Sequence, residues 1–145
     1  MALYTLTVDS ISGRYWNHDC IRVIEIGERA SLNELHYAIQ DAFGLDNDHL
    51  YAFYAGRNES NRKIIFGDAE SWEERENNNS NIPLNQVYPL PKGLMLYYLF
   101  DFGDRWIFKI KRSRKLKELD PTVKYPKIVE SHGVNPEAYP QNENE

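Results

Sequence analysis

The sequence predicts an α+β domain, with one main helix packed on a largely antiparallel sheet. Three observations lead there. One segment, 30–44, carries both helical periodicity and capping signals. Several short runs alternate apolar and polar residues in the manner of half-buried strands. Aromatic residues reach 13%, with ten Tyr and three Trp, and such side chains favour strands and bury large areas. The order reads as a ββαβ start followed by a β-hairpin, an arrangement that could be β-grasp-like.

The elements follow in order. LYTLTV, 3–8, alternates as a first strand. ISGRYWNHD, 11–19, is a connection. CIRVIEI, 20–26, alternates Ile21 and Val23 with a polar set and is a second strand, able to pair antiparallel with the first. In ASLNELHYAIQDAFG, 30–44, Ser31 and Glu34 form a capping-box pattern. Leu32, Leu35, Ile39, Ala42 and Phe43 recur at helical spacing, and Gly44 stands where a left-handed cap belongs. At ~100° per residue, Leu32, His36, Ile39 and Phe43 share one stripe, which puts His36 on or beside the buried face.

DNDHLYAFYAG, 46–56, gives a turn and a third strand, with His49 at its start. Residues 57–92 read as an irregular insertion with one short apolar segment, KIIFG. SWEERE suits a helical turn, and NNNSN is a loop by composition. NIPLNQVYPLPKG, with three prolines, suggests an extended connection. LMLYYLF, 94–100, and RWIFKIK, 105–111, form a hairpin. Trp106, Phe108 and Ile110 face one way, and Arg105, Ile107, Lys109 and Lys111 the other. The joining tetrapeptide, Asp101-Phe102-Gly103-Asp104, has turn chemistry. DPTVKYPKIV, 120–129, makes a last strand that Pro126 restricts to an edge. One domain over 1–132 and a polar tail over 133–145 are expected.

Bulk properties narrow the function. Net charge is −5, yet the run KIKRSRKLK, Lys109 to Lys117, holds six basic residues in nine. The single cysteine, Cys20, precludes an intrachain disulfide and suits a reducing compartment. The N-terminus lacks a signal-peptide pattern, and no apolar run reaches the ~18 residues of a membrane span. A cytoplasmic protein with no membrane association is the expectation. The triplet DFG also holds magnesium in protein kinases, but a kinase needs a glycine-rich loop, a strand lysine and an HRD loop as well. None of these is present in the sequence.

Three blocks together carry a resemblance. They are SLNELHYAIQDAFGLDNDHLYAF, 31–53; YLFDFGDRWIFKI, 98–110; and YPKIVESHGVNPEAY, 125–139. In this order they resemble the Ri-plasmid ORF-three-like family, small domains of plasmids and bacterial genomes that sometimes sit beside or are fused to transposon genes. The chain departs from the family pattern in three places. Leu45 stands where the family has tryptophan, and Phe108 where it usually has histidine. Ala138-Tyr139 follows Pro136-Glu137 in place of Asp-Cys-Gly-Gly. The resemblance implies an α+β domain and a mobile-element context, and it implies no established enzymatic reaction.

Candidate residues fall into two sets. His36, His49, Asp101 and Asp104 could converge as a polar cluster, since imidazole and carboxylate bind metals or serve as acid and base. No tight ligand spacing links them, and ordinary turn-capping and backbone hydrogen bonds are the favoured explanation of such residues. Lys109, Lys111, Arg112, Arg114, Lys115 and Lys117 could track phosphates, or simply solvate a strand end. The reading is a non-catalytic interaction domain that needs no cofactor, with a protein partner or self-association expected. Nucleic-acid association through 109–117 is the alternative, and a metal-dependent polar site the third.

Overall fold

The computed structural model describes residues 1–14, 16, 18–45, 50–66, 81–101 and 105–135. Among these residues eight strands form one sheet: β1 (Ala2–Ser12), β2 (Cys20–Gly27), β3 (Tyr51–Gly56), β4 (Ile64–Phe66), β5 (Met95–Phe100), β6 (Trp106–Arg112), β7 (Lys117–Glu118) and β8 (Lys127–His132). Two helices, α1 (Leu32–Phe43) and α2 (Leu84–Val87), complete the described elements. The strand order is β4-β3-β5-β6-β1-β2-β8, with β7 pairing β1 beyond β6. Every pairing is antiparallel.

The α+β expectation, one main helix packed on a sheet, is therefore corrected. Strands take 46% of the described residues and helix only ~14%, in two short segments. The fold is a mostly antiparallel sheet. The β-grasp-like alternative falls with it, because β1 lies antiparallel to β6 instead of running parallel to a last strand. The physical reason is that helix signals are local and strand pairing is not. Ser31 and Gly44 mark α1 within fifteen residues of sequence, whereas β1 gains its length from partners on both sides.

The cap signals act as they read. Ser31 Oγ accepts a hydrogen bond from the Glu34 amide at 3.1 Å, and Gly44 adopts φ 66°, the left-handed conformation that closes the helix. The stretch expected as an extended connection contains α2. Leu84 and Val87, three residues apart, are both buried. The amide of Leu32 donates to Ile82 and that of Leu84 to Ala30, so this segment is tied to the start of α1.

Period-two alternation divides the sheet into two faces. One carries Tyr4, Leu6 and Val8 of β1, Ile24 and Ile26 of β2, Tyr98 and Phe100 of β5, and Trp106, Phe108 and Ile110 of β6. These join Leu32, Leu35, Ile39 and Phe43 of α1 in the main core. The opposite face holds a smaller cluster of Tyr54, Tyr97, Leu99 and Ile107. In β2 the core face is Cys20, Arg22, Ile24 and Ile26, not Ile21 and Val23 as the sequence suggested. The β5–β6 hairpin pairs Phe100 with Trp106. Its turn begins and ends on left-handed residues, Asp101 at φ 60° and Arg105 at φ 55°. Residues 102–104 lie outside the described residues. Among the described residues, no helix is long and apolar enough to cross a membrane.

Candidate functional site

His36 is fully buried within α1. Its Nδ1 lies 2.6 Å from the Tyr98 hydroxyl of β5, and Gln40 Nε2, one helical turn on, donates to the same oxygen at 2.8 Å. The arrangement that uses every hydrogen has the Tyr98 O–H donating to Nδ1, and we assign it so. The imidazole also stacks on the Tyr51 ring, with centroids 3.7 Å apart and planes 10° apart, and the Tyr51 hydroxyl donates to Asn33 Oδ1. Burial holds the Tyr98 hydroxyl well above the usual phenol range, although the Gln40 hydrogen bond works against this. A neutral, doubly bonded tyrosine between two helix side chains is a clamp between helix and sheet.

Asp101 sits at the end of β5, almost fully buried, and its amide donates to the Leu50 carbonyl. His36 and Asp101 thus flank the start of β3, one through the Tyr51 ring and the other through the backbone before it. The other two members of the predicted polar cluster, His49 and Asp104, lie outside the described residues. Among the described residues no group of three or more His, Cys, Asp or Glu side chains is placed to hold a metal ion.

The basic run is spread over different surroundings. Lys109 and Lys111 belong to β6, with Lys109 directly opposite Asp9 of β1. Arg112 turns to the core face, its guanidinium 5.0 Å from the Tyr4 ring centre and 4.9 Å from that of Tyr88, a double cation–π contact. Lys117 Nζ pairs with Glu25 Oε2 at 2.8 Å. Lys111, Arg114 and Lys115 are left as cations with no ion pair among the described residues.

Two features lay outside the sequence reading. The first is Arg22, buried on the core face of β2. Its Nε donates to the Ala42 carbonyl at the end of α1, Nη1 to the carbonyls of Ile21, His132 and Gly133, and Nη2 to Asn135 Oδ1. One guanidinium therefore caps a helix and fastens the segment that follows β8. An arginine at an inward position of an alternating strand was the available signal. Cys20 lies beside it, fully buried, and burial raises its thiol above the usual range.

The second feature is a groove of about 800 Å³ between α1 and β8. Its helix wall is Glu34, Tyr37, Ala38 and Asp41, an i, i+3, i+4, i+7 stripe. Ile24 lies at its base, paired in register with Ile128, and Tyr125 and Pro126 complete the far wall. A recess of about 290 Å³ continues it past Glu34 and Tyr125 toward Met1 and Leu119. Tyr37 is 48% exposed and Ile128 42%. Glu34 and Asp41 make no ion pair among the described residues. The helix stripe and a last strand over 120–129 could both be read from sequence; that this strand runs over Lys127–His132 and pairs with β2, opposite α1, could not.

The family model for plasmid pRiA4b ORF-3-like protein matches residues 9–139. A solved structure of a protein of unknown function from Methanosarcina mazei is similar, with a TM-score of 0.69 at 21% identity, covering 92% of this chain and 71% of that one. At that identity the likeness shows the fold. No curated protein matches. The chain belongs to the plasmid pRiA4b ORF-3-like family.

Proposed function

We propose that this domain is a non-catalytic binding module, and that it holds a partner protein in the groove between α1 and β8. The observation that carries the reading is the groove itself, a concave, partly apolar surface with large exposed side chains beside the last strand of the sheet. Exposed apolar groups rimmed by polar ones mark interaction sites. The predicted polar residues that can be located support the same division of labour. His36 and Gln40 are committed to Tyr98, inside the core.

Selection from a displayed random-peptide library tests this. Wild-type protein should enrich a consensus sequence, and synthetic peptides of that consensus should bind it. A Tyr37→Ala, Ile128→Ser variant, shown by circular dichroism to remain folded, should lose at least tenfold in affinity. Failure to enrich any sequence, or equal binding to the variant, would refute the groove as the binding site.

A further inference from the structure

We propose that the occupant of the groove is a cationic amphipathic helix of a partner protein, with Lys or Arg at i and i+7 and large apolar residues at i+3 and i+4. This rests on the reading of the groove as the binding site and adds the chemistry of its ligand. The helix wall sets the spacing. Glu34 and Asp41 are seven residues apart on α1, which at 1.5 Å per residue places their carboxylates about 10 Å apart along one face. Tyr37 and Ala38 lie between them on the same stripe. A helix laid alongside α1 presents its own i, i+3, i+4 and i+7 side chains at matching intervals. Basic residues at its ends meet the two carboxylates, and apolar residues at its middle meet Tyr37 and Ile128.

Charge and burial both favour this occupant. Neither wall carboxylate makes an ion pair among the described residues, although Arg29 lines the adjoining recess with Glu34, so a basic ligand displaces no ion pair among those residues. Ile128 and Tyr37 are each more than two-fifths exposed, and an apolar ridge would take them out of water. The groove lies on the core side of the sheet, because Ile24 belongs to the main core and Ile128 pairs with it. A helix there would extend the layer that α1 begins, the helix-in-groove mode of recognition.

The test uses the full chain and alanine-based helical peptides that carry Lys, Leu, Leu and Lys at i, i+3, i+4 and i+7, with versions that replace both Lys by Gln or by Glu. Amide chemical shifts are followed during titration. The lysine peptide should move the amides of Glu34, Tyr37, Ala38, Asp41 and residues 125–128. Its affinity should fall about threefold to tenfold in the Glu34→Gln, Asp41→Asn variant, as two solvent-accessible ion pairs allow, and the loss should shrink at high salt. The variant's unchanged melting temperature controls for folding. If the Gln or Glu peptides move the same amides with equal affinity, the groove stands as a binding site and the cationic ligand is wrong. If the displayed-library consensus occupies the groove without basic residues, the proposal is likewise overturned. If shifts at 127–132 depend on protein concentration alone, the occupant is a second copy of this chain. If no peptide of any charge reaches the groove, the binding-site reading fails with it.

Discussion

Tyr98→Phe tests the helix–sheet clamp directly. The substitution removes one oxygen and leaves the ring packed among Phe53, Phe100 and Phe108. That oxygen serves two buried groups, His36 Nδ1 at 2.6 Å and the Gln40 Nε2–H at 2.8 Å. A buried polar atom that loses a hydrogen bond costs about 1–3 kcal/mol, so the loss of these two bonds should cost about 2–5 kcal/mol after partial relaxation. Urea denaturation should show a lower midpoint at an unchanged slope. Tyr97→Phe is the control, one residue away on the opposite face, where Tyr97 stacks on Tyr54 and its hydroxyl makes no hydrogen bond among the described residues. It should change stability by about 0.5 kcal/mol or less. Adding Gln40→Met to Tyr98→Phe should recover part of the loss, because the amide no longer wants a partner. A Tyr98→Phe cost below about 1 kcal/mol, or one equal to that of Tyr97→Phe, would refute the clamp as the element that joins α1 to β5.

Three further outcomes are expected. Arg22→Met should destabilise the domain by about 2–4 kcal/mol and speed amide exchange across 127–132, because the carbonyls of His132 and Gly133 lose their donor. Exchange confined to the end of α1 would mean that the guanidinium caps the helix without fastening β8. Asp9→Asn should raise the melting temperature at pH 7 and have little effect near pH 3. Burial first, and Asp19 second, raise the Asp9 carboxyl pKa, with Lys109 opposing, so the native state holds its proton more tightly than the unfolded chain. That contribution is full below the ordinary carboxylate pKa and is lost as pH rises through the raised one. A lower melting temperature at pH 7 would show that Lys109 outweighs burial. Arg112→Ala should cost about 1–2 kcal/mol through its two ring contacts, while Lys111→Ala, Arg114→Ala, Lys115→Ala together should stay within about 0.5 kcal/mol. If that triple variant abolished salt-sensitive binding of labelled DNA or RNA in an anisotropy titration, the basic run would be a nucleic-acid surface.

The sequence made some of this legible, and physical range explains which parts. The ends of α1 could be read because a serine, a glutamate three residues later and a glycine each act within one helical turn. The burial of His36 followed from its stripe. Its partner did not, because Tyr98 is 62 residues away and pairing decides which of two adjacent tyrosines faces the helix. The extent of the sheet was hidden for a related reason. β7 is two exposed residues with no apolar alternation, and β8, expected over 120–129, is six exposed residues whose pattern fixes neither its bounds at Lys127–His132 nor its partner. Both form because β1 and β2 offer unpaired backbone edges, and a hydrogen-bonding edge leaves no mark in side-chain pattern.

That same blindness bears on the site. α1 has two polar sets that look alike in sequence. His36 and Gln40 point inward and are consumed by Tyr98. Glu34 and Asp41 point outward into a groove that exists only because β8 pairs with β2. Reading by residue type favours the histidine, since imidazole is versatile chemistry. Reading by satisfaction favours the carboxylates, since a buried group with both neighbours bonded has little left to offer a ligand, while exposed charges beside exposed aromatic surface have partners still to meet. On that criterion the side of α1 turned away from the core is where binding should be sought. Changes there should alter affinity with little effect on stability, and changes at His36, Gln40 or Tyr98 should do the reverse.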